Sequence, residues 1–490
     1  MSKRYLLGLD NGGSLIKAAL FDKDGRQIAC ESIPTPQDCP RPGFCERTPD
    51  VIRDANFALI RRMTDKYGDD IAAVGICGHG KGLYLLDKSG TPMAPGIAST
   101  DNRALEVVEG WEADGTVGRA YELTVQKVMA CQPVSLLRWM KENDRETYDR
   151  IGCVLSVKDL VRFFLTGEAF AEFTDVSGTN LVNLWTGTYD PRLCDLFGIP
   201  EMADCLPPIR SSNEVCGTVT PEAAAATGLK VGTPVAGGMF DIDACALSLG
   251  CTKAGDMCVI AGTWSINEMI TSAPVSDGTV AMNSIFCDPA FRLAEESSAT
   301  SAGNLEWFRA QWNVRDYGEL EKLVSSVPTE ACNAYWFPFL YASNLNPRAR
   351  GSMVGLSGDM TLAHTARAVY EGVVYSHMTH CEAIFASLGR PAEIRLAGGV
   401  VHSPTWTQMF ADALGTPVRV MPDTELGAKG AAMAAGVACG WFADYKEAVA
   451  ACVPDGELRY PDAAMTAVYA AKFEKYKKIA DALDGVWAEL

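Results

Sequence analysis

The sequence predicts an α/β protein of at least two domains, on three observations. Its 490 residues allow two to four domains at roughly 150 residues each. Strand-like apolar runs and helix-like stretches alternate along the chain, the pattern of an α/β protein. A unit of apolar strand, small-residue turn and second strand opens the chain and returns near Met257, which suggests two similar halves.

Leu6 to Leu9 is a short apolar run ended by Asp10-Asn11-Gly12-Gly13. Ile16 to Phe21 follows, then the turn Asp24-Gly25 and a third run, Gln27 to Cys30. Three strands joined by tight turns read as an antiparallel meander. Thr48-Pro49 caps a helix through about Asp65, with proline at the first helical position.

Ile71 to Ile76 predicts a strand leading into "GICGHGKG". Gly75, Gly80 and Lys81 have the spacing of a phosphate loop, G-x-x-x-x-G-K-[ST], but Gly82 stands where the hydroxyl residue belongs. Such a loop must also pass into a helix, whose N-terminus faces the phosphates. Leu83 to Leu86, ended by Asp87-Lys88-Ser89-Gly90, predicts another strand instead. The phosphate-loop reading fails on both counts.

Near residue 240 come the turn Gly237-Gly238, two aspartates, Asp241 and Asp243, and an apolar helix. The second hairpin follows as Met257 to Ala261, Gly262-Thr263-Trp264 and Ser265 to Ile270, and a domain boundary is expected around residues 244–256. Further on, Glu393 to Leu396 predicts a strand and Gly398-Gly399 a turn. Ser403-Pro404 then starts a helix that ends before Gly415, with a strand at Val418 to Met421. Two glycines above a helix start let a flat ligand approach the backbone.

Composition excludes several classes. At 48% hydrophobic and 21% charged the chain is of ordinary globular type. A net charge of −18 argues against nucleic acid and anionic membranes as partners. The longest apolar run, from Gly430, is too short and alanine-rich to span a bilayer. The 17 cysteines are scattered without a C-x-x-C pair, so neither a zinc ribbon nor a disulfide framework is expected. Leu6 to Leu9 is too short for a signal-peptide core, and a reducing cytoplasm is the expected compartment. His377 and His380, three apart on a predicted helix, have no evident third ligand nearby and read as structural.

Two hairpin turns offering amides and hydroxyls, Asp10 to Ser14 with Lys17 and then Gly262-Thr263, are followed by the glycine turn Gly398-Gly399. This arrangement resembles the FGGY carbohydrate kinases of the sugar kinase, actin and heat-shock chaperone superfamily. The resemblance runs from Tyr5 to about Gly440. The stretches "GKGLYLLD", "PVSLLRWMKEN", "SAGNLEWF" and "YEGVVYSHMTH" resemble most the L-xylulose kinases within it. The family's C-terminal signature is recognisable from Gly351 to Glu371, with Thr365 where an apolar residue is usual. The lysine of the N-terminal signature is absent around Ser135-Leu136-Leu137.

The resemblance implies two actin-like (ribonuclease H-like) α/β domains with a cleft between them, residues 1–248 holding mainly the sugar and residues 249–490 mainly ATP. It implies transfer of phosphate from ATP to the terminal primary hydroxyl of a ketopentose, L-xylulose foremost. The alternatives are another ketose, a pentitol or a keto-aldonate (D-xylulose, L-ribulose, 3-keto-L-gulonate), or an actin- or chaperone-like ATPase without a sugar. His79, Lys81 and Gly82 then line the sugar pocket, where kinases of D-xylulose carry Q-M-H-G, together with Asp101 and Arg103 of "STDNRA". Asp241 is expected to be the catalytic base and to touch the sugar; Asp243 is the competing candidate. Asp10 is expected to hold Mg²⁺. Gly12, Gly13, Ser14, Lys17, Gly262, Thr263 and Gly303 would meet the phosphates, and Gly398, Gly399 and Ser403 the adenosine. Lys158-Asp159 and Thr174-Asp175 also resemble family positions and read as scaffold. The expected partners are the sugar, ATP and a second copy of the chain in a homodimer.

Overall fold

The computed structural model describes residues 3–490 except 342, 344, 345, 347, 423 and 424. The chain forms two compact units. The first comprises residues 1–252, 271–293 and 424–453, and the second residues 253–270, 294–423 and 454–490. The chain passes between these two units several times.

In the first unit β1 (Tyr5–Asn11), β2 (Leu15–Phe21) and β3 (Gln27–Pro34) form the meander. Helix α1 (Pro49–Tyr67) starts with the Thr48 side chain accepting from the Val51 amide. Strand β4 (Ile71–Gly78) pairs parallel with β1. Leu83–Asp87 is strand β5 of a separate four-stranded sheet, so the chain after "GHGKG" does pass into a strand. After α2 (Val157–Thr166) come β6 (Val215–Thr218), β7 (Pro234–Ala236), β8 (Met239–Phe240) and α3 (Asp241–Ser248). The main sheet has the order β6-β7-β4-β1-β2-β3, with β8 also on β4. Leu7 and Leu9 of β1, Val74 and Ile76 of β4, Ile52 and Leu59 of α1 and Leu160 of α2 close one core.

The second unit repeats this start. Strands β9 (Met257–Ala261) and β10 (Ser265–Thr271) form an antiparallel hairpin. Beyond them lie β11 (Arg292–Ser298), α4 (Gly303–Gln311), the 27-residue α5 (Leu362–Leu388), β12 (Ile394–Ala397), α6 (Pro404–Leu414), β13 (Val418–Val420) and β14 (Glu457–Arg459). These strands run in the order β11-β10-β9-β12-β13-β14. As β1 pairs antiparallel with β2 and parallel with β4, so β9 pairs antiparallel with β10 and parallel with β12. The echo in the sequence is an echo of topology.

The chain returns to the first unit with α7 (Leu426–Ala438), the apolar alanine-rich run. It lies directly on the sheet because two strand glycines make room: a Cβ at Gly8 or Gly75 would lie 1.8 Å from the Ala428 or Ala431 carbonyl oxygen. Among the described residues no helix is long and apolar enough to cross a membrane.

Candidate active site

Strands β1, β4 and β8 run parallel and stop at the same level. Asp10, Cys77 and Met239 share one row and Asn11, Gly78 and Phe240 the next. The residues that follow in each strand are Gly12, His79 and Asp241, so three motifs far apart in sequence arrive together. The carboxyl ends of parallel strands are where open α/β sheets bind ligands.

Asp241 is the first residue of α3 and is partly exposed, while Asp243 two residues on is wholly buried at 0%. A base must reach its substrate, and only Asp241 of the two reaches the surface. Burial raises the Asp10 carboxyl from 3.8 to about 6, against the opposing pull of Lys17. The Cys77 thiol, pushed up first by burial, feels both Asp10 and Asp241, so the two carboxylates flank one buried thiol.

The Gly12-Gly13 turn is held from below. The guanidinium of buried Arg47 donates to both carbonyls, to that of Gly12 at 3.5 Å, and the Gln37 amide reaches the Gly13 carbonyl at 3.2 Å. Ser14 is exposed and its carbonyl accepts from the Thr35 amide at 2.9 Å. Lys17 pairs with Glu425.

Lys81 and Gly82 are both left-handed, with φ of 65° and 72°. For lysine that conformation costs roughly 1–2 kcal/mol and persists only where the surroundings impose it. They do: the Gly82 amide donates to the Cys131 carbonyl at 2.8 Å, and a Cβ there would sit 2.5 Å from the Ile97 oxygen. A Cβ at Gly80 would strike the Phe240 ring at 2.5 Å, so the turn packs on the residue preceding Asp241.

The His79 Nδ1 faces the Gly80 carbonyl at 3.2 Å and must donate to it, leaving Nε2 to accept from the Tyr84 hydroxyl at 3.3 Å. Burial lowers its pKa to about 4; the ring is neutral.

Asp101 is 0% exposed. Its carboxylate accepts from the Cys45 amide at 2.7 Å and from Arg103 Nε at 3.0 Å. Arg103 also reaches Glu46 at 2.7 Å, and its guanidinium lies over the rings of Phe44 and Trp139. The D-x-R pair is thus a buried ion pair in which Asp101 aims Arg103. Lys81 and Asp101 both act on the Cys131 thiol, which brings the turn and the pair to one place. Sequence reasoning missed Phe44, Glu46 and Arg47, which nothing local in "PGFCER" marks, and Trp139, which it met only within the family-like stretch "PVSLLRWMKEN".

In the second unit the Gly262-Thr263 turn meets the start of α4: the Ala302 amide donates to the Gly262 carbonyl at 2.8 Å, and a Cβ at Gly303 would touch Thr263 at 3.4 Å. Gly398 has φ of 91°, and a Cβ there would lie 2.6 Å from the Ala261 oxygen. Gly399 faces open space. The two phosphate candidates and the glycine turn therefore adjoin. Ser403 caps α6, accepting from the Trp406 amide at 3.0 Å and donating to Glu321. His377 sits between Ser301 at 3.0 Å and Asn267 at 2.8 Å, and His380 between Ser298 and Glu296, both at 3.0 Å. Among the described residues no group of three or more His, Cys, Asp or Glu is arranged to hold a metal.

Residues 5–248 match the model of the N-terminal domain of the FGGY family of carbohydrate kinases, and residues 257–439 that of the C-terminal domain. The chain is 38% identical to an L-xylulose/3-keto-L-gulonate kinase of Escherichia coli over 99% of both chains. It is 36% identical to a probable L-xylulose kinase of Pasteurella multocida over 98% of this chain and 99% of that one. A solved ligand-bound xylulose kinase from Lactobacillus acidophilus matches with a TM-score of 0.93 over 99% of each chain, at 23% identity, which shows the two-domain actin-like fold. With both halves of the family matched in order along one chain, this protein belongs to the FGGY carbohydrate kinases and is an ATP-dependent sugar kinase.

Proposed function

We propose that the protein transfers the γ-phosphate of ATP to the terminal primary hydroxyl of L-xylulose, giving L-xylulose 5-phosphate. The observation that carries the reading is the meeting of Asp10, the His79–Gly82 turn and Asp241 at the ends of three parallel strands. The names of the Escherichia coli and Pasteurella multocida relatives support the sugar. The same Escherichia coli name includes 3-keto-L-gulonate, and the ammonium of Lys81 beside the site suits such a carboxylate; a keto-aldonate is the second reading.

Phosphoryl transfer needs placement of the hydroxyl, neutralisation of charge on the phosphate oxygens and an acceptor for the proton. Residues 1–248 hold mainly the sugar in this reading. Lys81 and Arg103 donate to its oxygens, and His79 and Gly82 shape the turn. Asp241 orients the primary hydroxyl and takes its proton as the oxygen–phosphorus bond forms and ADP leaves. A carboxylate is a weak base at neutral pH, so it acts late in the transfer. Residues 249–490 hold mainly ATP, with Gly262, Thr263 and Gly303 at the phosphates and Gly398, Gly399 and Ser403 at the adenosine. Gly12, Gly13, Ser14 and Lys17 also serve the phosphates.

Mg²⁺ fits Asp10: magnesium takes one or two carboxylates and fills its shell with phosphate oxygens and water, and the partly exposed Asp10 carboxylate near the end of β1 supplies one. Bound there, it would supply charge neutralisation at the phosphates.

The test is ADP release measured across ketopentoses, pentitols and keto-aldonates. The highest kcat/KM is expected with L-xylulose. A higher value with a keto-aldonate would transfer the assignment to the second reading, and ADP release indifferent to every sugar would remove the kinase reading.

A further inference from the structure

Behind Asp241 the first unit buries a group of charges that the proposed chemistry does not use. Lys158 Nζ lies 2.8 Å from Asp159, 3.5 Å from Glu172 and 3.7 Å from Asp175, and Arg162 lies 2.9 Å from Asp159. All five side chains are at most 3% exposed. Burial at this scale is expensive unless every charge is paired and hydrogen-bonded, and replacing such a group with apolar residues is often neutral or stabilising. Stability alone is therefore a weak reason for it.

What the group touches supplies another. Arg162 donates to the Gly237 carbonyl at 2.6 Å. Thr174 donates its hydroxyl proton to Glu172 at 2.6 Å and accepts the Phe240 amide at 2.8 Å. Both ends of the segment from Gly237 to Phe240 are thereby tied to the charges, and Asp241 is the next residue. Because the Thr174 proton is committed to Glu172, its lone pair is fixed toward the amide. We propose that Thr174, held by Glu172 and Lys158, is a positioning residue for Asp241: it sets where the backbone enters α3 and so where the carboxylate points. The proposal rests on Asp241 being the base.

The experiment compares Thr174→Val, Thr174→Cys and Thr174→Ser, alone and with Asp241→Asn, in the full-length enzyme. Thr174→Val is expected to lower kcat by about tenfold to a hundredfold, the usual effect of a small misplacement, while Kd for ADP stays within about twofold. Thr174→Ser keeps the hydroxyl and is expected to recover most of kcat. Should Thr174→Val not fold, Thr174→Cys keeps the volume with a weaker acceptor and is expected to lower kcat in the same direction. In the Asp241→Asn background Thr174→Val is expected to cost less than about twofold more, because residues acting through one group are not additive. A folded Thr174→Val, or in its place a folded Thr174→Cys, with unchanged kcat overturns the proposal, as does a loss equally large with and without Asp241. Full turnover by Asp241→Asn itself would instead overturn the choice of base.

Discussion

Lys17 Nζ donates to the Glu425 carboxylate at 2.6 Å across 408 residues of sequence. Lys17 stands opposite Asp10 in the β1–β2 register, so the pair borders the carboxylate proposed to hold Mg²⁺. Lys17 draws the Asp10 pKa down and Glu425 pushes it up. Lys17→Met is therefore expected to move the acid limb of the kcat/KM–pH profile to higher pH and Glu425→Gln to lower pH. Two variants that break one ion pair yet shift the profile in opposite directions separate this electrostatic role from mere loss of a bridge. Shifts of the same sign would contradict it.

Asp10 carries a conflict between stability and function. Its folded pKa of about 6 lies above the ordinary 3.8, so between those values the native state binds more protons than the unfolded one. Stability drawn from Asp10 is present below that window and declines as pH rises through it. Asp10→Asn is expected to raise unfolding free energy at pH near 7.5 by on the order of 1–2 kcal/mol, and to change it little at pH near 4. Turnover should collapse in the same variant. Chemical denaturation at the two pH values is the check, and destabilisation at the higher one would contradict the assignment.

Lys81→Ala tests which ligand the turn faces. Removing a charged hydrogen bond costs about 1.5–3 kcal/mol, so KM for L-xylulose should rise about tenfold to a hundredfold while Kd for ADP stays within about twofold. Calorimetry with ADP decides it: a tenfold loss of nucleotide affinity would return the turn to the phosphates.

Gly398→Ala addresses the second unit. Its φ of 91° and the 2.6 Å approach of a new Cβ to the Ala261 oxygen leave the substitution no relaxed position. The variant is expected to lose stability by on the order of 1–3 kcal/mol and to bind ADP more weakly, with sugar affinity unchanged. Unchanged ADP affinity would detach this turn from the nucleotide.

Much of this was legible in the sequence, where local chemistry decides the outcome. The hairpins announce themselves by apolar runs broken at Asp10–Gly13 and Gly262-Thr263, α1 by Thr48-Pro49, and α6 by Ser403-Pro404. The rejection of a phosphate loop needed only Gly82 and the strand after it. What remained hidden depends on contacts between distant segments. No local signal pairs Lys17 with Glu425, aims Asp101 at Arg103 rather than outward, or brings Arg47 under the Gly12-Gly13 turn. The return of α7 to the first unit is equally nonlocal, because a run of alanine and glycine looks alike in any buried helix. Asp241 is the expected base and Asp243 its competitor already in the sequence; what the fold adds is the burial of Asp243.

The most direct test compares Asp241→Asn with Asp243→Asn in single-turnover release of ADP with L-xylulose. Asp241→Asn is expected to fold and to bind both ADP and sugar, with phosphoryl transfer slowed by roughly two to four orders of magnitude, the range for losing a positioned general base. Asp243→Asn, inside the core, is expected to show its effect in stability, with the folded fraction transferring phosphate near the normal rate. Near-normal transfer by Asp241→Asn, with a folded Asp243→Asn unable to transfer, would contradict the account.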